Sequence, residues 1–216
     1  MKSRECLSAA AFLELSGIEF NSDQIKFSQS DPPDLIFEYF DSSKQQNEKC
    51  YFEVTNCLDD DIRWGSLKNA KRNIQDHITS GKTYAEYTDE HGPILKKRMP
   101  VNFNEVFSLI KKPIYEKFKR YTERKDRIIQ LSDIDLLVVV QLSNIFLRAD
   151  QTIICPDDPI IQSWRSISFM IEPYCGVIYA APNSPSILKE IHKRNMIYNA
   201  KPELWDDMIK KIGLNF

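Results

Sequence analysis

Two carboxylates lie in a region whose pattern predicts a pair of adjacent strands. Asp34 opens one apolar run directly after two prolines, and Glu53 lies inside the next run, at 49–57. The polar residues 42–48 between the runs are typical of a hairpin. If the strands pair, both acids meet at one rim, where two oxygen ligands with room for water suit Mg²⁺. Such an ion can orient a phosphodiester and help to generate hydroxide.

Each acid also has a structural interpretation. Asp34 could accept hydrogen bonds in a turn that follows the proline pair. Glu53 could face outward from an edge strand, although an unpaired carboxylate inside an apolar strand is costly and favours a metal or a basic partner. Both interpretations remain open at the level of the sequence.

Cationic residues follow on a long predicted helix that runs from 102 to about 126. Four of them recur at helical spacing along one side: Lys117, Arg120, Arg124 and Arg127. With Tyr121 among them, this stripe could contact nucleic acid, whereas an ordinary solvated helix face is the alternative. Arg165, beside a predicted strand, could contact a phosphate or form a structural salt bridge.

The elements that must position these residues predict an α/β fold. Helices are expected at 3–16, 102–126, 186–194 and 203–212, and strands at 24–28, 34–41, 49–57, 136–140, 164–171 and 176–181. The continuously apolar run at 136–140 indicates a strand covered on both faces. Pro113 predicts a break or a kink in the long helix. The expected architecture is a mixed central sheet flanked by helices.

One stretch of the chain has a different character. Residues 59–100 contain one amphipathic helix within a polar segment, and Lys68 and Lys71 lie on that helix. We interpret the stretch as an insertion or a lid in a single domain that spans 1–216. An interaction protein that docks through this insertion is a weaker reading of the same residues.

Composition excludes several classes of protein. The 6 glycines form no phosphate-binding fingerprint, and the 5 cysteines contain no CxxC pair. The first residues make a poor signal peptide, so we expect a soluble cytoplasmic protein with reduced thiols. The chain carries 29 basic and 31 acidic residues, which disfavours non-specific coating of nucleic acid.

The near-neutral total conceals two segments of opposite charge. Residues 31–61 hold 2 basic against 9 acidic residues, whereas residues 96–127 hold 11 basic against 4 acidic residues. An acidic strand rim beside a basic helix is the arrangement expected of a protein that holds a metal and grips phosphates.

The order Pro33-Asp34, hairpin, Phe52-Glu53-Val54-Thr55 resembles the PD-(D/E)xK nuclease superfamily. The resemblance implies a restriction-endonuclease-like α-β-β-β-α-β core in which Asp34 and Glu53 are the metal-binding acids. Thr55 then occupies the position of the motif lysine, although threonine carries no charge and is a common strand residue. The superfamily's opening helix often carries a further acid, here Glu5, which could equally be a solvated first-turn residue.

More narrowly, residues 5–190 apart from 59–100 resemble a bacterial family of unknown function whose members are described as endonucleases. The resemblance rests on PPDLIF, FEV, the basic helix before DIDLL, WRSIS and VIYA. It implies a Mg²⁺- or Mn²⁺-dependent nuclease, acting on DNA, in which Lys117 or Lys68 replaces the motif lysine. The alternative is a nuclease-fold module that binds nucleic acid or protein without catalysis. No membrane partner is expected, and a homodimer is left open.

Overall fold

The structure is a computed structural model that describes residues 2–29, 32–57, 103–123, 130–140, 153, 157–171, 174–194 and 198–199. The predicted insertion at 59–100 with Lys68 lies outside these residues. The same is true of Arg124, Arg127 and the predicted helix at 203–212.

The described elements alternate helices and strands. The helices are α1 (Lys2–Leu15), α2 (Phe103–Thr122), α3 (Pro159–Gln162) and α4 (Ser186–Arg194). The strands are β1 (Ile25–Phe27), β2 (Leu35–Asp41), β3 (Gln46–Cys57), β4 (Asp135–Val140), β5 (Ser166–Ile171), β6 (Tyr174–Ala180) and β7 (Tyr198–Asn199). No helix in this described part is long and apolar enough to cross a membrane.

All of these strands form one mixed sheet in the order β1-β2-β3-β4-β5-β6-β7. The pairs β1/β2 and β2/β3 are antiparallel, β3/β4 and β4/β5 are parallel, and β5/β6 and β6/β7 are antiparallel. Every residue of β4 is buried, because helices cover both faces of the middle of the sheet. The predicted mixed sheet with flanking helices is confirmed, and β4 is its central strand.

A different hydrophobic cluster lies on each face of the sheet. On one face, α1 and α4 pack against β2, β3 and β6, and the small side chains of Ala9, Ala10 and Ala11 are fully enclosed. On the other face, α2 packs through Ile110 and Ile114 against residues of β4 and β5. This second helix therefore lies over the face of the central strands onto which Glu53 projects.

The predicted hairpin forms, although β3 begins earlier than expected. Strands β2 and β3 pair from Leu35 opposite Phe52 to Asp41 opposite Gln46, with residues 42–45 as the turn. Gln45 adopts a positive φ of 53° there, which reverses the chain tightly enough for polar residues 46–48 to join the ladder.

The predicted break at Pro113 is wrong, because α2 continues through it as one helix. Pro113 is buried with Ile114 on the sheet-facing side. A proline removes one helical hydrogen bond, and the apolar stripe on both sides of it packs on the sheet as a single surface.

Candidate functional site

Asp34 lies where β2 and β3 begin to separate. One step beyond the Leu35–Phe52 pair, the register places Asp34 opposite Glu53. The Asp34 amide donates to the Phe52 carbonyl at 3.0 Å, and its carbonyl accepts from the Ser28 amide at 2.9 Å. The Asp34 carboxylate itself accepts the next ladder amide, that of Val54, through Oδ2 at 2.8 Å. This bond fixes the carboxylate at the rim of the sheet beside the strand that carries Glu53.

Glu53 is a buried carboxylate held by α2. Only 1% of the residue is exposed, since side chains alternate along β3 and this one projects beneath the helix. Its Oε1 accepts from both the ammonium group of Lys117 and the hydroxyl of Tyr121. These two residues are four positions apart on α2, so they lie on one face of the helix. Within the described part of the chain, Glu53 Oε2 has no hydrogen-bond partner.

The pKa of Asp34 is raised to about 6. Burial is the largest cause, and the negative charges of Glu53 and Glu5 add to it, whereas the Val54 amide and the Lys117 ammonium oppose it. Three acids and one lysine are therefore close enough to influence one another. Holding an ionised Asp34 here costs free energy, which a bound cation would recover.

The donor atoms left over fit a divalent cation. Asp34 uses Oδ2 on a backbone amide and Glu53 uses Oε1 on α2. Among the described residues this leaves Oδ1 of Asp34 and Oε2 of Glu53 as donors to a metal. Two carboxylate oxygens with water as the other ligands suit Mg²⁺. No group of three or more His, Cys, Asp and Glu side chains with metal-binding geometry occurs among the described residues. Glu5 acts on Asp34 through its charge, and its part as a ligand stays a prediction.

Other residues of the predicted site lie around this pair. Thr55 is half-buried on β3, opposite Val138 of β4, and it offers no charge in place of the motif lysine. Arg120 is exposed on α2, as the predicted basic stripe requires.

Tyr121 does not belong to that exposed stripe. Only 3% of the residue is accessible, its ring packs 6.3 Å from that of Trp164, and its hydroxyl is bound to Glu53. A buried ring cannot stack on a nucleobase. The structure therefore corrects the prediction that Tyr121 contacts nucleic acid. The i,i+4 spacing of Lys117 and Tyr121 indicated in the sequence that both lie on one face of the helix, and the fold brings that face onto Glu53.

Arg165 forms a structural salt bridge, the alternative that the sequence left open. Its Nε and Nη2 bind the two oxygens of Asp135, a fully buried acid at the start of β4. Asp135 also accepts from the Ser166 hydroxyl at 2.8 Å and from the Tyr51 amide at 2.8 Å. An acid at the start of a wholly apolar strand was the signal in the sequence of this buried ion pair.

Comparison with known proteins places the chain in a family. A family model described as "Putative endonuclease, protein of unknown function (DUF1780)" matches residues 1–203. The chain belongs to this family. No curated protein sequence matches it. Membership agrees with the predicted resemblance to an endonuclease-like family, whereas the PD-(D/E)xK superfamily stays a prediction.

A solved structure shares the fold of this family member. It is protein PA4535 of unknown function from Pseudomonas aeruginosa strain PAO1, described as belonging to the monooxygenase superfamily. The two chains have a TM-score of 0.63 and 17% sequence identity, over 94% of this chain and 85% of the other. At this identity the likeness concerns the fold alone.

Proposed function

We propose that this protein is a metal-dependent nuclease that hydrolyses phosphodiester bonds in DNA. The observation that carries the proposal is the meeting of Asp34, Glu53 and Lys117 at one rim of the sheet. The family description supports an endonuclease in general terms. The element order α1-β1-β2-β3-α2-β4 supports assigning the α-β-β-β-α-β core of restriction-endonuclease-like proteins.

Asp34 and Glu53 would hold the ion, Mg²⁺ or Mn²⁺, through Oδ1 and Oε2. A divalent cation supplies charge stabilisation and lowers the pKa of bound water. Asp34 is oriented for this by the Val54 amide, and Glu53 by the two donors on α2. Glu5 adds negative potential to the site.

Lys117 would take the part of the motif lysine. Thr55 lacks the charge, but Lys117 brings an ammonium group to the same carboxylate from a neighbouring helix. Its side chain is mostly buried, with 16% exposed, so its charge is only partly screened by water. There it would stabilise the negative charge that develops on the phosphoryl group during in-line attack. Arg120, on the exposed side of α2, is a candidate contact to more distant phosphates.

The test is cleavage of labelled DNA and RNA by the full chain in Mg²⁺ or Mn²⁺. We expect Asp34→Ala, Glu53→Gln and Lys117→Met each to lower the rate by about 100-fold or more. Glu116→Gln and Lys112→Met are matched controls, because both residues are exposed on α2. Cleavage by Asp34→Ala at the wild-type rate would remove the assignment, and so would equal losses in the controls.

A binding module without catalysis is the second candidate, and the neutral Thr55 favours it. It predicts nucleic-acid binding with no metal-dependent turnover. Calorimetric titration of Mg²⁺ separates the two: the nuclease should give a binding heat that disappears in Glu53→Gln. Nucleic-acid binding with no such heat and no cleavage would favour the module.

A further inference from the structure

A second feature lies at the N-terminal ends of β4 and β5, next to the site of Asp34 and Glu53. It is a pocket of about 390 Å³ between β3, the start of β5 and the loop that enters α4. Its lining includes four cationic side chains and one carboxylate: Lys44, Lys49, Arg165, Lys189 and Glu48. We refer to it as the basic pocket.

Arg165 is the fixed cation of the basic pocket. Its guanidinium is held by Asp135, donates to the Lys49 carbonyl at 3.3 Å, and lies 5.0 Å from the centre of the Tyr51 ring. No described residue accepts from its remaining terminal nitrogen, Nη1. A guanidinium already locked in place loses little conformational freedom when it binds an anion.

The one carboxylate of the lining is already satisfied. Glu48 accepts from the Lys44 ammonium group, the Tyr39 hydroxyl and the Ser186 amide at the start of α4. Its charge is thus balanced by Lys44 and by the positive end of the helix.

The other lysines add positive potential to the basic pocket. Lys49 is paired with Glu38, which does not line the pocket. Among the described residues, Lys189 donates only to the Pro182 carbonyl, at 3.1 Å. Asp135 is enclosed behind Arg165. The open side therefore presents cations to solvent and suits an anion.

The basic pocket adjoins the acid site along one strand. Lys49, Tyr51 and Glu53 occupy alternate positions of β3, so they project to the same face. Two residues of a strand span about 7 Å. Tyr51, which lines the pocket, is therefore about 7 Å along β3 from Glu53, the proposed metal ligand.

We propose that the basic pocket binds a phosphate group of the nucleic-acid strand whose scissile phosphate lies at Asp34 and Glu53. This inference rests on the proposed function, since it names a second contact of the same substrate. It assigns to Arg165 a phosphate contact through Nη1, the terminal nitrogen that does not bind Asp135.

The experiment is fluorescence anisotropy with a labelled single-stranded DNA oligonucleotide and the full chain in EDTA, which prevents metal-dependent cleavage. The test variant is Lys49→Gln/Lys189→Gln, which leaves the buried Arg165–Asp135 pair intact. The control is Lys193→Gln/Arg194→Gln, which removes two charges from exposed residues of α4 outside the basic pocket.

We expect the test variant to bind the oligonucleotide at least tenfold more weakly than wild type, and the control to change less than threefold. The slope of log K against log salt should fall by about 0.7 for each lost phosphate contact on a single strand. Inorganic phosphate should displace the oligonucleotide from wild type at lower concentration than from the test variant. Equal weakening in both double variants would overturn the inference, and so would unchanged binding by the test variant.

Failure here and failure of the proposed function give different results. If the basic pocket is wrongly assigned, the test variant cleaves and binds like the control, while Asp34→Ala remains inactive. If the nuclease assignment is wrong, Asp34→Ala and wild type behave alike in Mg²⁺, whatever the test variant does in the binding assay.

Discussion

Glu53 has its two carboxylate oxygens in opposite situations. Oε1 accepts two donors from α2, and Oε2 has none among the described residues. An acid buried only to stabilise the fold is expected to use both oxygens, because an unsatisfied one costs about 1–3 kcal/mol. The asymmetry fits the proposed metal ligand, in which one oxygen would hold the orientation of the side chain and the other would bind the ion.

Tyr121 is therefore expected to act as a positioning residue. Tyr121→Phe keeps the ring packed on Trp164 and removes the hydroxyl that orients Glu53. We expect about tenfold weaker Mg²⁺ binding, in the range typical of lost outer contacts to a ligand, as measured by calorimetry. The control is Tyr115→Phe, which removes a hydroxyl on the same helix that binds Asp158. An unchanged dissociation constant in Tyr121→Phe would show that Lys117 alone holds the carboxylate.

At the scale of elements, the Asp135–Arg165 pair ties three parallel strands together. Asp135 begins β4, accepts an amide of β3 through Tyr51, and accepts the hydroxyl of Ser166 at the start of β5. Its salt bridge with Arg165 is almost wholly enclosed, with 0% and 10% of the two side chains exposed. These contacts set the relative positions of β3 and its neighbours, and so the place at which Glu53 meets α2.

Arg165→Met should destabilise the fold strongly. It leaves the Asp135 charge buried with only neutral donors, which typically costs about 3–5 kcal/mol. Urea unfolding at pH 7 measures the loss, and Arg165→Met/Asp135→Asn should recover part of it because no unpaired charge remains. A loss below about 1 kcal/mol in the single variant would mean that water reaches Asp135 in solution.

For the whole molecule, the negative charge of ionised Asp34 lowers the stability of the fold. The pKa of Asp34 is about 6, above the 3.8 of an unperturbed aspartate. Between these values the folded chain binds a proton that the unfolded chain does not, so the contribution of Asp34 to stability falls as the pH rises. Above about pH 6 the full penalty of an ionised Asp34 is present.

Asp34→Asn should therefore stabilise the metal-free protein. Asparagine still offers an oxygen to the Val54 amide and carries no charge. We expect a gain of about 1–2 kcal/mol at pH 7.5 in EDTA, after a discount for partial exposure, and little gain at pH 4 or below. Thermal unfolding across this pH range measures it. If the gain in stability over wild type is no larger at pH 7.5 than at pH 4, an ionised Asp34 carries no penalty in the folded protein.

Most of the framework was predictable from local patterns. The predicted elements that fall within the described residues all form, because the period of their apolar residues reports which side must be buried. The helix at 186–194 agrees to the residue. Pro113 does not break α2, because burial on both sides of it outweighs the loss of one hydrogen bond.

The sequence by itself determined the two acids, their order around a hairpin and the charge separation between hairpin and helix, because these depend on residue type and short spacing. Only the tertiary structure decided that Lys117 and Tyr121 meet Glu53, and that Arg165 meets Asp135. Those partners are 64, 68 and 30 positions apart. Contacts between residues so far apart in sequence depend on how α2 packs on the sheet and on how β5 pairs with β4. No local periodicity of the sequence encodes either arrangement.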